Sequence, residues 1–451
     1  MTSRVASLER GPGIDGPLRR LMERMVGPLC GFDKSLAFSL RDAVMPRLHV
    51  VVGQLVAVHR LIALEHPLSY HIGGYGVYAE EALIRALGET LERYAHMAIT
   101  SWSAQQMPFC SYAELRAQGK RSVAPADISP FNAEQLAQEA YPFRPWHDSD
   151  PVTWIKGFDP QDGSDVYVPA QAVVVGYVPR HADGEPWITA AVTTGSAAHT
   201  QVSRAVRSAL LELIEIDTTM GHWHSGVTAP RIAESNATRH IDALLARDVP
   251  RDGVSYSFHY LRNPDLGAHV VAAVARSPGD QIPACGVGVG CDLDLQRAMY
   301  KAYLEGSAIA HLALISLLLS GAADEIPTAD DLTAFGDLDK NVAFYGLPQN
   351  RNIIEERFPS DARIEEGDIP AYRVRTSDRD VSYLLDQFAR TGKRLVLFDF
   401  TTPDIADLGF RVIRAWSPDT LPLCLPSFPS LGHPRYRAYG SPRYAYPHPY
   451  P

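Results

Sequence analysis

Several signatures are missing from this sequence, and each absence narrows what it can be. Its five cysteines (Cys30, Cys110, Cys285, Cys291 and Cys424) are an odd number without CxxC spacing. That excludes a disulfide framework or zinc ribbon and reads as reduced, buried thiols. There is no Lys/Arg block and the formal net charge is −10, so the footprint of a nucleic-acid or anionic-membrane binder is absent. The apolar stretch Leu312 to Leu319 is too short to span a bilayer, and no signal-peptide core opens the chain. A soluble, cytoplasmic protein is expected. No GxxxxGK[ST] loop, no GxGxxG opening a helix after a strand and no GxSxG elbow occurs. His222-Trp-His224 lacks a third ligand at zinc-site spacing.

What is present alternates between strand and helix patterns. Pro17 to Met25 is a short amphipathic stretch, and residues 1–50 read as an N-terminal extension before a domain spanning 51–451, with a Pro-rich tail over 417–451. Leu48 to Val58, Ala172 to Val178, Trp187 to Thr193, Val254 to Leu261, His269 to Ala275, Arg394 to Phe400 and Phe410 to Trp416 read as strands. Glu80 to Ile99, Val202 to Met220 and Asp294 to Leu319 read as long helices. Residues 321–360 read as an irregular excursion. The glycine clusters Gly73-Gly-Tyr-Gly76 and Gly286-Val-Gly-Val-Gly290 read as turns or bulges. The class expected is α+β, with helices packed on mixed and antiparallel sheets.

Carboxylates recur on the predicted helices. Glu89 and Glu92 are three apart, as are Glu212 and Glu215, so each pair shares a helix face; Glu305 lies on the third helix. The residues around Glu212 and Glu215 are apolar, which turns part of that face inward. Gathering several carboxylates in an interior is costly unless cations share the site. Hard oxygen ligands suit Mg²⁺ working with a nucleotide's phosphates, and an acidic chain needs such ions to offset phosphate charge. Structural acids, or a carboxylate-bridged metal oxidase, are the competing readings. His96, four residues after Glu92, reads as a helix-face hydrogen-bond partner. The chain's last residues, Pro447-His448-Pro449-Tyr450-Pro451, alternate proline and are held near polyproline II, so docking them orders little. They are expected to be an exposed tail whose removal spares the fold.

In this order the motifs resemble the YcaO family, over roughly residues 50–451. Arg85-Ala-Leu-Gly-Glu89-Thr-Leu-Glu92-Arg93, after its Gly-rich stretch, is similar to the family's Sx₃ExxER block. Thr193-Thr-Gly-Ser-Ala-Ala198 with Ser208-x₃-Glu212-xx-Glu215 is similar to the Sx₃ExxE block, and the Glu305 helix to the ExxxQ block. Leu397-Phe-Asp-Phe-Thr-Thr-Pro403 with Gly409-Phe-Arg-Val-Ile-Arg414 resembles the late strand pair. A PxPxP end resembles the azoline-forming cyclodehydratases. The resemblance implies a YcaO fold, ATP and Mg²⁺ as cofactors, and conversion of Cys, Ser or Thr in a ribosomal precursor peptide to thiazoline or oxazoline.

On this resemblance Glu89, Glu92, Glu212 and Glu215 bind metal, and Arg85, Glu89, Arg93, Ser208, Glu212 and Glu305 bind the nucleotide. Pro447, His448, Pro449 and Pro451 line the reacting amide, with His448 or the Pro451 carboxylate as proton shuttle. The first 50 residues are too short for a leader-peptide module, which implies a ThiF-like or winged-helix partner; a homodimer is also expected. Five positions depart from the family pattern. Tyr75 stands for a lysine, Arg85 for the first-block serine, Thr194 for an asparagine, Ile216 for an arginine and Ile309 for the glutamine. They leave open a paralogue with a degenerate nucleotide site, acting as a scaffold or precursor-binding subunit.

Overall fold

The computed structural model describes residues 16–29, 31–39, 43–56, 59, 71–103, 106–319, 326–443 and 446–450. Helix α1 (Gly16–Met25) leads to strands β1 (Asp33–Phe38), β2 (His49–Leu55) and β3 (His71–Gly76), then to helix α2 (Ala79–Ser103). There follow β4 (Phe109–Ser111), α3 (Tyr112–Ala117), α4 (Ala133–Leu136), β5 (Pro151–Phe158), β6 (Asp165–Pro169) and α5 (Ala170–Val173). Next come β7 (Ser196–His199), α6 (Val202–Ser225), β8 (Arg231–Ile232), α7 (Arg239–Asp248), β9 (Ser255–Leu261), β10 (His269–Arg276) and β11 (Cys285–Asp292). The chain continues through α8 (Leu295–Leu319), α9 (Leu338–Gly346), α10 (Arg351–Arg357), β12 (Arg363–Ile364) and α11 (Ser377–Arg390). It closes with β13 (Val396–Asp399), α12 (Pro403–Asp407) and β14 (Arg411–Trp416).

These strands form three sheets, ordered β1-β2-β3, β4-β5-β13-β14-β7 with β6 beside β5, and β11-β10-β9-β8-β12. The strands of these sheets pair antiparallel, except β8 with β12. Both α and β elements are mixed through the chain, as the α+β reading requires. Strand β10 is buried on both faces. Its Val270, Ala272 and Val274 join one core with Leu210, Leu213 and Ile214 of α6, while Val271 and Ala273 join another with Ala298, Met299 and Ala302 of α8. The period-two alternation of a strand thus separates the two helices.

The long helices lie where their periodicity placed them, but the glycine clusters do not form turns. Gly73–Gly76 lies in β3 and Gly286–Gly290 in β11. Gly74, Gly286, Gly288 and Gly290 let the following helix press against strand backbone. A Cβ at Gly74 would overlap the Ala82 carbonyl oxygen, and one at Gly288 the Gly306 nitrogen. Gly288→Ala is therefore expected to destabilise the protein by about 3 kcal/mol or more, read as a lower urea midpoint. An unchanged midpoint would mean that α8 does not sit this close to β11.

Other expectations are corrected. Ala172–Val178 is not a strand: it begins within α5 and ends in a turn. Trp187–Thr193 forms no strand and runs as extended coil into the turn at Gly195, whose φ of +84° glycine alone adopts freely. The stretch beyond residue 326 carries α9 and α10 rather than irregular chain; 320–325 lie outside the described residues. Residue 50 falls inside β2, and Leu18 and Met25 of α1 pack in the same core as Val51, Leu83 and Leu87. Among the described residues no helix is long and apolar enough to cross a membrane.

Candidate active site

Among the described residues three edge strands, one from each sheet, lack a neighbour on one side: β3, β7 and β11. Each is followed after two or three residues by one of the three longest helices, α2, α6 and α8. An unpaired edge leaves N–H groups that need acceptors. Helix carboxylates supply them. The Gly73 amide donates to Glu89 Oε2 (3.1 Å) and the Val289 amide to Glu305 Oε2 (3.0 Å), each glutamate sixteen residues after its donor. The other pair crosses between units: the Ala198 amide of β7 donates to Glu92 Oε1 (2.8 Å), and the Cys291 backbone of β11 hydrogen-bonds Glu215. Sheet edges and ExxE spacing therefore place the carboxylates where the three sheets meet.

The electrostatics confirm that the five acids form one group. Burial is the main cause that pushes Glu92 up to about 7; Arg93 and the Ala198 amide oppose it, and Glu89 adds to it. Burial likewise pushes Glu215 up to about 7, against Lys301 and Cys291. Glu212 is raised well above the carboxylate range by burial, then by Glu92 and Glu215; Glu305 is raised by burial, then by Glu215. Two arginines temper this charge. Arg93 pairs with Glu89 (3.1 Å). Arg414, buried, is lowered to about 10 by burial while Glu212 holds it charged. Its guanidinium donates to the Val192 carbonyl (2.8 Å) and to Thr194 O.

The departures from the family pattern can be placed. The Tyr75 phenol sits among the acids: burial raises its pKa, and Glu305, Glu89 and Glu215 add to that. Arg85 pairs with Glu81 (3.0 Å), which also accepts from Tyr300 (2.7 Å) and the Val77 amide. Thr194 is buried beside Arg414, Ile309 is in apolar packing with Ala313 and Val342, and Ile216 packs against the α6 core. Ser208 lies one turn before Glu212 and is exposed. Lys301 was missed by sequence reasoning. It donates to the Cys291 carbonyl (2.7 Å) and lies 3.3 Å from Asp292, and its position one turn before Glu305 was the signal available. His96 does not bond Glu92. It pairs with Ser196 Oγ (2.7 Å) and accepts from the Val175 amide, because Glu92 is already held by β7.

The exposed tail expected from the sequence is also corrected. His448 is 0% and Tyr450 3% exposed, and Pro447 and Pro449 are buried. Trp223 Nε1 of α6 donates to the Tyr446 carbonyl (3.0 Å), Tyr345 donates to Pro447 O, and Tyr450 packs edge-on to Trp223. Apolar rings and satisfied carbonyls hold an otherwise donor-poor segment in the core. Tyr450 lies within electrostatic reach of Glu305. His448 Nε2 faces the Cys424 carbonyl, and burial lowers its pKa to about 4 against the backbone hydrogen bonds of Cys424 and Tyr450. Pro451 lies outside the described residues.

A family model described as YcaO cyclodehydratase, ATP- and Mg²⁺-binding, matches residues 73–421. No curated protein sequence matches the chain. Among solved structures, a heterocyclase in complex with substrate and cofactor aligns at TM-score 0.71 and 17% identity, over 95% of this chain and 56% of that one. The chain thus spans little more than half of that heterocyclase. YcaO from Methanopyrus kandleri, bound with AMPPCP and Mg²⁺, aligns at 0.59 and 17%, covering 89% and 88%. A chain of the E. coli microcin synthetase McbBCD complex aligns at 0.57 and 15%, covering 92% and 96%. These likenesses concern the fold, and the family match spans most of the sequence: the chain belongs to the YcaO family.

Proposed function

We propose that this chain is an ATP- and Mg²⁺-dependent peptide cyclodehydratase subunit that closes Cys, Ser or Thr side chains of a ribosomal precursor into thiazolines or oxazolines. The observation that carries this reading is the convergence of Glu89, Glu92, Glu212, Glu215 and Glu305, from three helices, beside the buried Tyr450. The donor set fits Mg²⁺: it is all-oxygen, and burial raises four of its members, Glu92, Glu212, Glu215 and Glu305. Among the described residues no three His, Cys, Asp or Glu side chains converge enough to hold an ion by themselves. Mg²⁺ held by these carboxylates would take its remaining ligands from phosphate and water, as it usually does beside a nucleotide.

Glu89, Glu92, Glu212 and Glu215 would hold the metal, and Arg85, Arg93, Ser208 and Glu305 the nucleotide. Bound Mg²⁺ supplies charge screening for the triphosphate. The substrate thiol or hydroxyl adds to the preceding carbonyl carbon and loses its proton. The oxyanion so formed takes the γ-phosphoryl group, releasing ADP. Loss of the amide proton then forms C=N as the C–O bond breaks and phosphate leaves. Arg93 and Arg414 offset charge growing on the transferred group. His448, with Nε2–H held by Cys424, offers Nδ1 as a transient proton acceptor, and the proline-rich segment excludes water. Partners would be a leader-binding protein of ThiF-like or winged-helix type and the precursor itself.

Incubating the protein with a partner, precursor and MgATP is expected to remove the mass of one water per ring and to release ADP. No ring and no ADP with a competent partner would overturn catalysis and favour the scaffold reading. Glu212→Gln is expected to lower turnover on the order of 100-fold, about 2.7 kcal/mol of barrier, and to raise the Mg²⁺ concentration needed for nucleotide binding. Unchanged turnover and Mg²⁺ demand would remove Glu212 from the site.

A further inference from the structure

Asp217 follows Glu215 by two residues on α6 and is 0% exposed. Four groups from other segments meet its carboxylate. Arg435 holds both oxygens (Nε to Oδ1 3.0 Å, an Nη to Oδ2 2.7 Å), and Asn263 and Tyr439 donate to Oδ2 at 3.0 and 2.9 Å. The Leu421 amide donates to Oδ1 (3.0 Å). Arg435 extends the network to Asp265 (2.8 Å), which Lys393 also pairs. No step of the proposed chemistry uses any of these groups. Such a set of buried charges is expensive to desolvate, and replacing it by apolar residues is often neutral for stability. A network of that cost invites a role other than holding the fold.

The direction of the C-terminal chain supplies one. From Arg435 to Arg443 the chain runs beside α6 from Asp217 to His224, and residues 446 and 450 then meet Trp223. Tyr439 fills the space beside Gly221, where a Cβ would lie 2.5 Å from its ring. The Arg443 amide donates to the His224 carbonyl (2.7 Å), and the Tyr446 carbonyl accepts from Trp223. Tyr450 then packs on Trp223 with Glu305 in electrostatic reach. One helix therefore carries Glu212 and Glu215, then the Asp217 anchor, then the dock for the terminal segment. A bidentate guanidinium–carboxylate pair fixes distance and orientation together, which a lone apolar contact does not.

We propose that Asp217 and Arg435 are positioning residues: their clamp sets the register of the C-terminal segment along α6, and so the placement of residues 447–450 against the glutamate cluster. This rests on the cyclodehydratase reading for its catalytic consequence, and not for its structural one. A displacement of about 1 Å at a reacting centre can cost about 100-fold in rate without loss of binding.

The test uses the full chain with its partner, precursor and MgATP. The variants are Arg435→Lys, Arg435→Met and the double variant Asp217→Leu/Arg435→Met, which removes the pair without stranding a charge. For variants with a cooperative melt, kcat for ring formation should fall about 100-fold while the KM for ATP stays within about twofold. Arg435→Lys, which keeps charge but not the fork, should fall between Arg435→Met and the parent. Hydrogen exchange should speed up over 439–450 and stay unchanged over 202–215. A folded double variant with parental kcat, or with parental exchange over 439–450, overturns the clamp. Absence of ring formation in the parent overturns the cyclodehydratase reading instead, and the exchange measurement then still decides on the clamp.

Discussion

Deleting residues 446–451 is expected to abolish ring formation and to destabilise the protein by roughly 4 kcal/mol, the scale of emptying a buried aromatic site. Tyr450 and His448 leave a cavity against Trp223 and Tyr345, whose indole N–H and phenol O–H lose the carbonyls of Tyr446 and Pro447. Each buried donor left unpaired adds a further penalty of about 1–3 kcal/mol unless water reaches it. The urea midpoint and the slope of the transition check the stability, and calorimetric titration with MgATP checks that the glutamate site survives. An unchanged midpoint would mean that the segment does not pack on α6. A normal rate of ring formation would remove it from the mechanism.

Protein free of divalent cations is expected to be most stable at about pH 6 and to lose stability on both sides, for opposite reasons. His259 is depressed to about 3, and His269, His433 and His448 to about 4, all chiefly by burial. Below pH 6.5 the unfolded chain takes up protons that these buried rings refuse, so stability falls until the pH reaches about 4. Glu92 and Glu215 work in the other direction, since folding raises them from 4.5 to about 7. From pH 4.5 upward the unfolded chain releases protons that the folded site retains, so these acids cost stability until pH passes about 7. Glu212 and Glu305, raised further, extend that loss. Below about pH 6 these histidines, joined by His96 and His222, which burial holds well below the usual histidine range, outweigh the acids; above about pH 6.5 only the acids act. Discounted for the partial exposure of the glutamates, the alkaline loss is on the order of 2 kcal/mol.

Mg²⁺ with nucleotide is expected to flatten the alkaline limb far more than the acid limb, because none of the five glutamates is among the groups that shift His259, His269 or His433. Melting temperatures between pH 4 and pH 8.5, with and without Mg²⁺ and ATP, measure both. A cation-free melting temperature that does not fall between pH 6.5 and 8 would show that the acids are not crowded. Equal sensitivity of both limbs to Mg²⁺ would show that the ion acts elsewhere.

Much of the site could be read from the sequence because helix periodicity is local. Glu89 with Glu92, and Glu212 with Glu215, must share a helix face wherever the helix lies, and their apolar flanks already turned α6 inward. The glycine clusters misled for an equally physical reason. A run of glycines in isolation has the freedom of a turn, and only the approach of α2 and α8 shows why β3 and β11 dispense with side chains. The terminal prolines misled in the same way: lack of donors suggests a solvated tail, yet Trp223 and Tyr345 supply donors from 223 and 102 residues away in sequence. The Asp217–Arg435 pair left no local trace, and Lys301 only its position one turn before Glu305, since ordinary charged residues on helices are usually solvated.

The sequence by itself determined the three long helices, the carboxylate pairs they carry and the family to which the chain belongs, because each depends on spacing along a few turns. Only the tertiary structure decided that three unpaired sheet edges meet, and that their amides anchor the glutamates. It alone brought the C-terminal segment inside, along α6. Those outcomes depend on which strands lack a neighbour and which helix offers a groove, and neither is fixed until sheets pair and cores close over long separations.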